Sequence, residues 1–419
     1  MPATTDNASN LTLSCHFDET DPRVGVGDRR TDIDLLRVVL CGLVILMHAL
    51  LIFSDEPRYH LKSAAPSAAA SLLYEFLHFT AMPCFFVLAG WSAVVSLRRR
   101  RPGQFLRDRV GRLLVPLAAG IVLLGPIIKY VELLGGRDLG LRGFRLAPKL
   151  QIDFVAFLPR YFGRLNLLTW SHLWFLAYLF LISVVLLPVL AGLARRPRSP
   201  AVPPAWVVYL PALPIACLLV GLRGYWPFLP NLLTDWVDVA FFGLCFLTGA
   251  MTAAWPGFER RLRSQAAGLA LVGLGGFAGV ALWAESPLMA LCVAATAWGV
   301  SGAALGFASG HAPPDGPVMR YLAEATLPVY VLHHVPLLLI GAAVIRLDFP
   351  VGVHVILIWL AATTATLAIY HWLVRPFAPT RFLVGLAPLP PAAARFDDEG
   401  DPLETSDARR RPSLTKKGG

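Results

Sequence analysis

Long apolar runs separated by short arginine-rich segments set the pattern of this chain. Taken at the length of about twenty residues that a bilayer demands of a helix, the runs fall at 33–53, 74–96, 112–134, 171–191, 206–222, 236–254, 265–283, 288–309, 325–346 and 351–374. They predict an all-α fold, a polytopic integral membrane bundle of about ten transmembrane helices. The basic residues between them fix an orientation. Arg29 and Arg30 precede the first span. Arg98 to Arg101, Arg107, Arg109 and Arg112 follow the second, and Arg195, Arg196 and Arg198 the fourth. Arg260, Arg261 and Arg263 follow the sixth, Arg320 the eighth, and Arg375 and Arg381 the tenth. All fall on one side, so both termini are expected in the cytoplasm and the bundle in the inner (plasma) membrane. The loop 135–170 is basic yet lies on the outer side; long loops translocate largely regardless of charge. Its apolar stretch 152–158 is expected at the interface.

Both ends lack the pattern. Residues 1–28 are polar, and 377–419 mix proline, alanine and charge. They are expected as disordered cytoplasmic tails around a membrane domain at 29–376. The first 30 residues hold no apolar core, so the first span itself is expected to act as the insertion signal.

Composition agrees. Hydrophobic residues make up 56% of the 419 and charged residues only 15%, where a soluble chain carries roughly 25%. Mean hydropathy is +0.60. A net charge of +10 would suit nucleic acid, but its placement argues for positive-inside loops and anionic headgroups, so membrane lipids and no nucleic acid are the expected partners. Six cysteines show no paired spacing, and five lie inside spans; no disulfide and no metal site are expected.

Polar residues inside the apolar runs carry the candidate chemistry. The first span, DIDLLRVVLCGLVILMHALLI, holds Arg37 and His48 with ten residues between them. Each is expensive in hydrocarbon unless it faces protein or a wet cavity, and histidine is the side chain best suited to move a proton near neutral pH. In the second span Glu75 and His78 are three apart and share a helix face. His172 opens the fourth span. His48, Glu75, His78 and His172 can occupy one outward layer, in which a carboxylate holds a histidine for general-base work. His78 and His172 also read as interfacial residues beside Trp174.

A second constellation, RRRRPGQFLRDRVGRLLVP, has seven arginines in fifteen residues. Arg109 and Arg112 share a helix face, and arginine forks suit phosphate oxygens; anionic lipids are the competing partners. The third is EATLPVYVLHHVPL. Tyr330 and His333 share a face and His334 points elsewhere, while Pro328 and Pro336 are placed to kink the helix. Tyr330 also reads as a packing residue. Asp34 stands one turn before Arg37, to pair with it or to act directly. Neither a serine nor a cysteine has a nucleophile's setting.

These segments, in order, resemble the membrane-bound acyltransferase 3 family, and within it the branch of the bacterial glucan succinyltransferases. The resemblance covers residues 29–376. It runs through RRTDIDLLRVVLCGLVILMHALLIF, with the family's arginine, ten residues, histidine spacing at Arg37 and His48, then FLHFTAMPCFFVLAGWSAVVSLRRR, FLRDRVGRLLVPL, SHLWFLAYLFLISVVLLP and ATLPVYVLHHVPL. Ala89 and Trp91 stand where the family often has serine and phenylalanine, and Leu327 where tyrosine is common. The resemblance implies transfer of an acyl group from a cytoplasmic acyl-CoA, a co-substrate and not a bound cofactor, to a hydroxyl of an extracytoplasmic glycan or lipid. It implies that His48 is the catalytic residue, that Arg37 supports donor binding and that the donor path opens near Arg109 and Arg112. His172 and Glu75 would orient the base; Asp34, His78, Tyr330 and His333 would line the substrate path. The alternative class is a proton-coupled transporter or flippase, which also needs intramembrane charge.

Overall fold

The computed structural model describes residues 29–140, 143–224, 230–232, 234–283 and 286–388. The segments expected as tails, 1–28 and most of 377–419, lie outside the described residues. The described residues are mostly helical: α1 Thr31–Leu51, α2 Ala68–Arg99, α3 Pro102–Arg109, α4 Val115–Leu123 and α5 Gly125–Leu134. A hairpin of β1 Arg137–Gly140 and β2 Gly143–Leu146 comes next. Then follow α6 Phe154–Gly163, α7 Trp174–Val185, α8 Leu187–Arg195, α9 Ala212–Leu222, α10 Trp236–Ala254, α11 Pro256–Ser264 and α12 Ala266–Leu282. The last are α13 Leu288–Ala308, α14 Pro317–Leu332, α15 His334–Val344, α16 Val351–Ile369 and α17 Ala378–Leu383.

Six of the described helices are long and apolar enough to cross a membrane, and four bent pairs bring the number of candidate spans to ten. The expected all-α membrane bundle is therefore the architecture found. The bends have causes. Breaks at Leu124, Leu186 and His333 turn the chain by 45°, 63° and 63°. Pro126, Pro188 and Pro336 follow each by two or three residues. A proline has no N–H to give the carbonyl four residues back, and its ring crowds that carbonyl, so the helix opens there. Two boundaries differ from the sequence reading. α2 starts at Ala68 rather than 74, because Ser67 caps it by accepting from the Ala70 N–H. Residues 378–383 are helical, where a tail was expected from 377; Arg381 anchors this helix by donating to Glu324 Oε1 at 2.8 Å.

α2 is the central strut. Gly90 and Gly249 let α2 and α10 touch backbone to backbone: a Cβ at Gly90 would lie 1.8 Å from the Phe246 carbonyl oxygen, and one at Gly249 1.8 Å from that of Val87. Small residues at a helix crossing allow this approach in a membrane, where packing replaces the hydrophobic driving force. α1 packs against α2, α14 and α16. Its buried face, with Leu40, Val44, Ile45 and His48, thus looks into the middle of the bundle.

Candidate active site

Five imidazoles meet at one end of the bundle. His48 comes from the last turn of α1, His60 from the segment after it, His172 from the 3-10 turn Ser171–Leu173, and His333 and His334 from the α14–α15 break. All five are buried. Ring centroids separate His48 from His334 by 4.8 Å and from His333 by 5.1 Å. His334 stacks on His172 at 4.7 Å and lies 5.2 Å from His60.

Backbone carbonyls fix which nitrogen carries the proton. His48 Nδ1 lies 2.8 Å from Val44 O, an acceptor, so Nδ1 is the donor and the lone pair of the neutral ring sits on Nε2. His333 Nδ1 faces Tyr330 O at 2.8 Å and Val329 O at 3.2 Å. His172 Nε2 faces Val331 O at 3.0 Å. The lone pairs of those two rings are then on His333 Nε2 and His172 Nδ1. Among the described residues His172 Nδ1 and both nitrogens of His334 make no hydrogen bond. Unpartnered buried nitrogens are the mark of a site built to meet something else. Ring nitrogens of His48, His333 and His334 lie within 4.8 Å of one another, a spacing that can hold a metal ion; the sequence carries no such spacing.

His334 is a correction to the sequence reading. On one continuous helix it would point about 100° away from His333. The break at 333, which Pro336 enforces, re-aims the chain so that both rings enter the cluster. Tyr330 holds the turn below it: its hydroxyl donates to the carbonyl of His172. That is the packing role, with the hydroxyl satisfied.

A second arrangement adjoins the cluster. His60 Nδ1 is hydrogen-bonded to Glu132 Oε2, and His60 Nε2 lies 2.8 Å from Ser171 Oγ. Glu132 Oε1 also accepts from Lys129 Nζ at 2.6 Å and from the Leu139 N–H. Lys129 reaches Asp138, which Arg145 also pairs. Lys129 and Glu132 are wholly buried, whereas Ser171 is partly exposed. Ser171, His60, Lys129 and Glu132 are not among the residues marked from the sequence, where no serine has a nucleophile's setting. A signal existed in LGPIIKYVELL, where a lysine and a glutamate three apart sit inside an apolar run. The partner histidine, in a loop some seventy residues earlier, left none.

The basic loop 135–170 is accounted for in part. Arg137 donates to the carbonyls of Tyr59 and Pro57 and so ties the β1–β2 hairpin to the segment after α1, while Arg145 donates to Asp138 and joins the two strands.

The other end of α1 is cationic. Arg37 donates to Asp34 Oδ1 at 3.0 Å and to Ser92 Oγ. Asp34 is thus the partner of Arg37, and Arg29 shares it at 2.9 Å. Arg109 ends α3 with its guanidinium 5.0 Å above the buried Phe105 ring, within electrostatic reach of Arg112 and Arg37. Arg112 is exposed on the π-helical turn Val110–Leu114. The expected outward layer of Glu75 and His78 with His48 does not form. Glu75 is exposed on α2, and the ring neighbours of His78 are Tyr74 and Phe79. Glu132 is hydrogen-bonded to a histidine of the cluster, His60.

The acyltransferase domain model matches residues 30–375, from the start of α1 to the end of the last long helix. The chain is similar to glucans biosynthesis protein C of Salmonella schwarzengrund (strain CVM19633), 25% identical over 340 residues that cover 74% of this chain and 83% of that protein. It stands at the same identity and coverage to the protein of that name from Salmonella typhi and from Salmonella typhimurium. No solved structure matches. The chain belongs to the acyltransferase 3 family and is a membrane acyltransferase of groups other than amino-acyl groups.

Proposed function

We propose that the protein moves an acyl group, such as acetyl or succinyl, from a cytoplasmic acyl-CoA to a hydroxyl of an extracytoplasmic glycan or lipid, with His48 as the general base. The observation that carries this reading is the tautomer of His48. Its Nδ1 proton is committed to Val44 O, which leaves the Nε2 lone pair to take a hydroxyl proton. Arg37 lies on the same helix, eleven residues and ~16 Å along the axis toward the arginine-rich end. Arg37, Arg109 and Arg112 supply the guanidinium forks that the donor's phosphates require. The donor would bind at that end in the cytoplasm and extend its thioester along α1 to His48. There an acceptor from the outer side attacks the carbonyl, and the protein interior keeps water from hydrolysing the thioester. In this arrangement the protein sits in the inner membrane with both termini in the cytoplasm, as the arginine distribution supports.

The test is incubation of membranes holding the protein with radiolabelled acetyl-CoA and succinyl-CoA. Thioester consumption with label entering glycan or lipid is the expected result. Binding of acyl-CoA without consumption would instead place the protein among carriers. Mass spectrometry of envelope glycans and lipids from cells with and without the protein names the acceptor.

A further inference from the structure

The geometry points to Ser171 as a nucleophile that carries the acyl group covalently, in a Ser171–His60–Glu132 triad at the outer mouth of the histidine cluster. The identity of the carried group rests on the acyl-transfer reading above; the nucleophile itself does not.

Hydrogen bonding assigns each role. His60 Nδ1 faces a carboxylate oxygen of Glu132 and so holds the proton. His60 Nε2 then presents a lone pair to Ser171 Oγ at 2.8 Å, and the serine hydroxyl donates to it. This is the order of groups that activates a serine: nucleophile, base, and a buried carboxylate that fixes the base's tautomer. Glu132 is fixed in turn by Lys129 Nζ and the Leu139 N–H on its other oxygen. Its charge is balanced without His60, because Lys129 and Arg145 offset Glu132 and Asp138. The proton that His60 takes from Ser171 during a reaction is then faced directly by the Glu132 carboxylate. A buried ion pair is weak evidence for stability, so a wholly buried lysine–glutamate pair that grips a histidine has an orienting task.

The backbone supports the same role. Ser171 has φ 45°, in the left-handed region that residues with a Cβ seldom enter. Such strain persists where surrounding structure over-determines it. Here the Ser171 N–H donates to Thr169 Oγ1 at 3.1 Å, and Trp170 Nε1 donates to Pro230 O at 3.1 Å. The serine is partly exposed, while His60 and Glu132 behind it are buried. His334 lies between His60 and His48, 5.2 Å and 4.8 Å from their ring centroids.

The chemistry balances in two steps. Ser171 Oγ attacks the thioester carbonyl and passes its proton to His60 Nε2; the C–S bond breaks, the thiolate leaves and an ester forms on Ser171. The acceptor hydroxyl then attacks that ester and gives its proton to His48 Nε2. The bond from the acyl carbon to Ser171 Oγ breaks, and His60 returns its proton to Oγ. His48 hands its proton to the thiolate, so the sum is thioester plus alcohol to ester plus thiol.

The test uses the full chain in detergent and a fluorophosphonate-biotin probe, which reports an activated serine without any acyl donor. Peptide mapping should place the probe on Ser171. Labelling should vanish in Ser171→Ala and fall about a hundredfold in His60→Gln. Glu132→Gln, a positioning change, should slow it and shift its pH profile. Absence of probe on Ser171 in the unaltered protein overturns the proposal. With radiolabelled acetyl-CoA or succinyl-CoA, acid quenching should trap hydroxylamine-sensitive label on the protein, lost in Ser171→Ala. Ser171→Cys, which should carry label as a thioester and lose that ability once N-ethylmaleimide blocks the new thiol, keeps the test valid if the alanine variant does not fold. Transfer to acceptor at a near-normal rate by Ser171→Ala overturns the covalent route and leaves direct transfer by His48. Probe on Ser171 without thioester consumption by the unaltered protein keeps the nucleophile and removes the acyl-CoA reading.

Discussion

His333 Nε2 stands 3.4 Å from His48 Nδ1, across the contact between the first helix and the break in the ninth span. Since His333 Nδ1 is turned to two carbonyls, its Nε2 is an acceptor, and the proton on His48 Nδ1 is shared between this ring and Val44 O. Two acceptors on one side of His48 hold its lone pair on the other. His48→Ala and His48→Gln are expected to lower acyl transfer by about a hundred- to ten-thousandfold, the range for loss of a general base. Donor binding and membrane insertion should stay near normal. His333→Ala, which removes only the orienting acceptor, should give a smaller loss. A His48→Ala enzyme with near-normal turnover in a purified assay would remove the base from the mechanism.

Arg37 and Arg109 are expected to matter for the donor alone. Charge-assisted hydrogen bonds are worth roughly 1.5–3 kcal/mol each, so Arg37→Ala or Arg109→Ala should weaken acyl-CoA affinity about ten- to a hundredfold. Replacing Arg98 to Arg101 by alanine should do less, because Arg100 already pairs with Asp108, and Arg99 and Arg101 are exposed. Equilibrium binding of the thioester in detergent decides it: unchanged affinity in Arg109→Ala with loss on replacing the run would move the phosphate site.

Pro336→Ala should separate activity from stability. Alanine restores an N–H for the Leu332 carbonyl and removes the ring that crowds it, so the 63° bend at His333 relaxes and His334 leaves the cluster. Misplacement by an ångström or so can lower a rate on the order of a hundredfold, while stability should change by about 1 kcal/mol or less. Thermal unfolding and transfer assays on one preparation read both. Full activity in this variant would show that His334 is not required where it stands.

The β1–β2 hairpin should loosen in acid. Burial alone raises the Asp138 carboxyl, but hydrogen bonds and charge from Lys129 and Arg145 overcome it and hold the group below the ordinary value of 3.8. A carboxylate lowered on folding adds stability that is fully present above 3.8 and lost as the pH falls through its folded value. Limited proteolysis between Leu139 and Arg145 should therefore be flat from neutral pH down to about 4 and rise below it. Asp138→Asn should be cleaved at neutral pH. Cleavage that rose already between pH 7 and 5 would point to a different titrating group.

The amino-acid sequence alone determined the membrane bundle, its spans, the arginine-rich end and the pair Arg37 and His48. Apolar run length, charge placement and spacing along one helix are local properties, and the bilayer converts them directly into structure. It also marked Tyr330, His333 and His172 as polar residues inside apolar runs. Which of these meet was not local. His334 faces the cluster only because Pro336 breaks its helix, and Glu75 and His78 fall outside it because α2 turns them to its other faces. Ser171, His60 and Glu132 come from three segments up to 111 residues apart, and no periodicity encodes such a contact. Only the tertiary fold, which brings the loop after α1 and the Ser171–Leu173 turn together beside Glu132 of α5, put a hydroxyl, an imidazole and a carboxylate within hydrogen-bond reach.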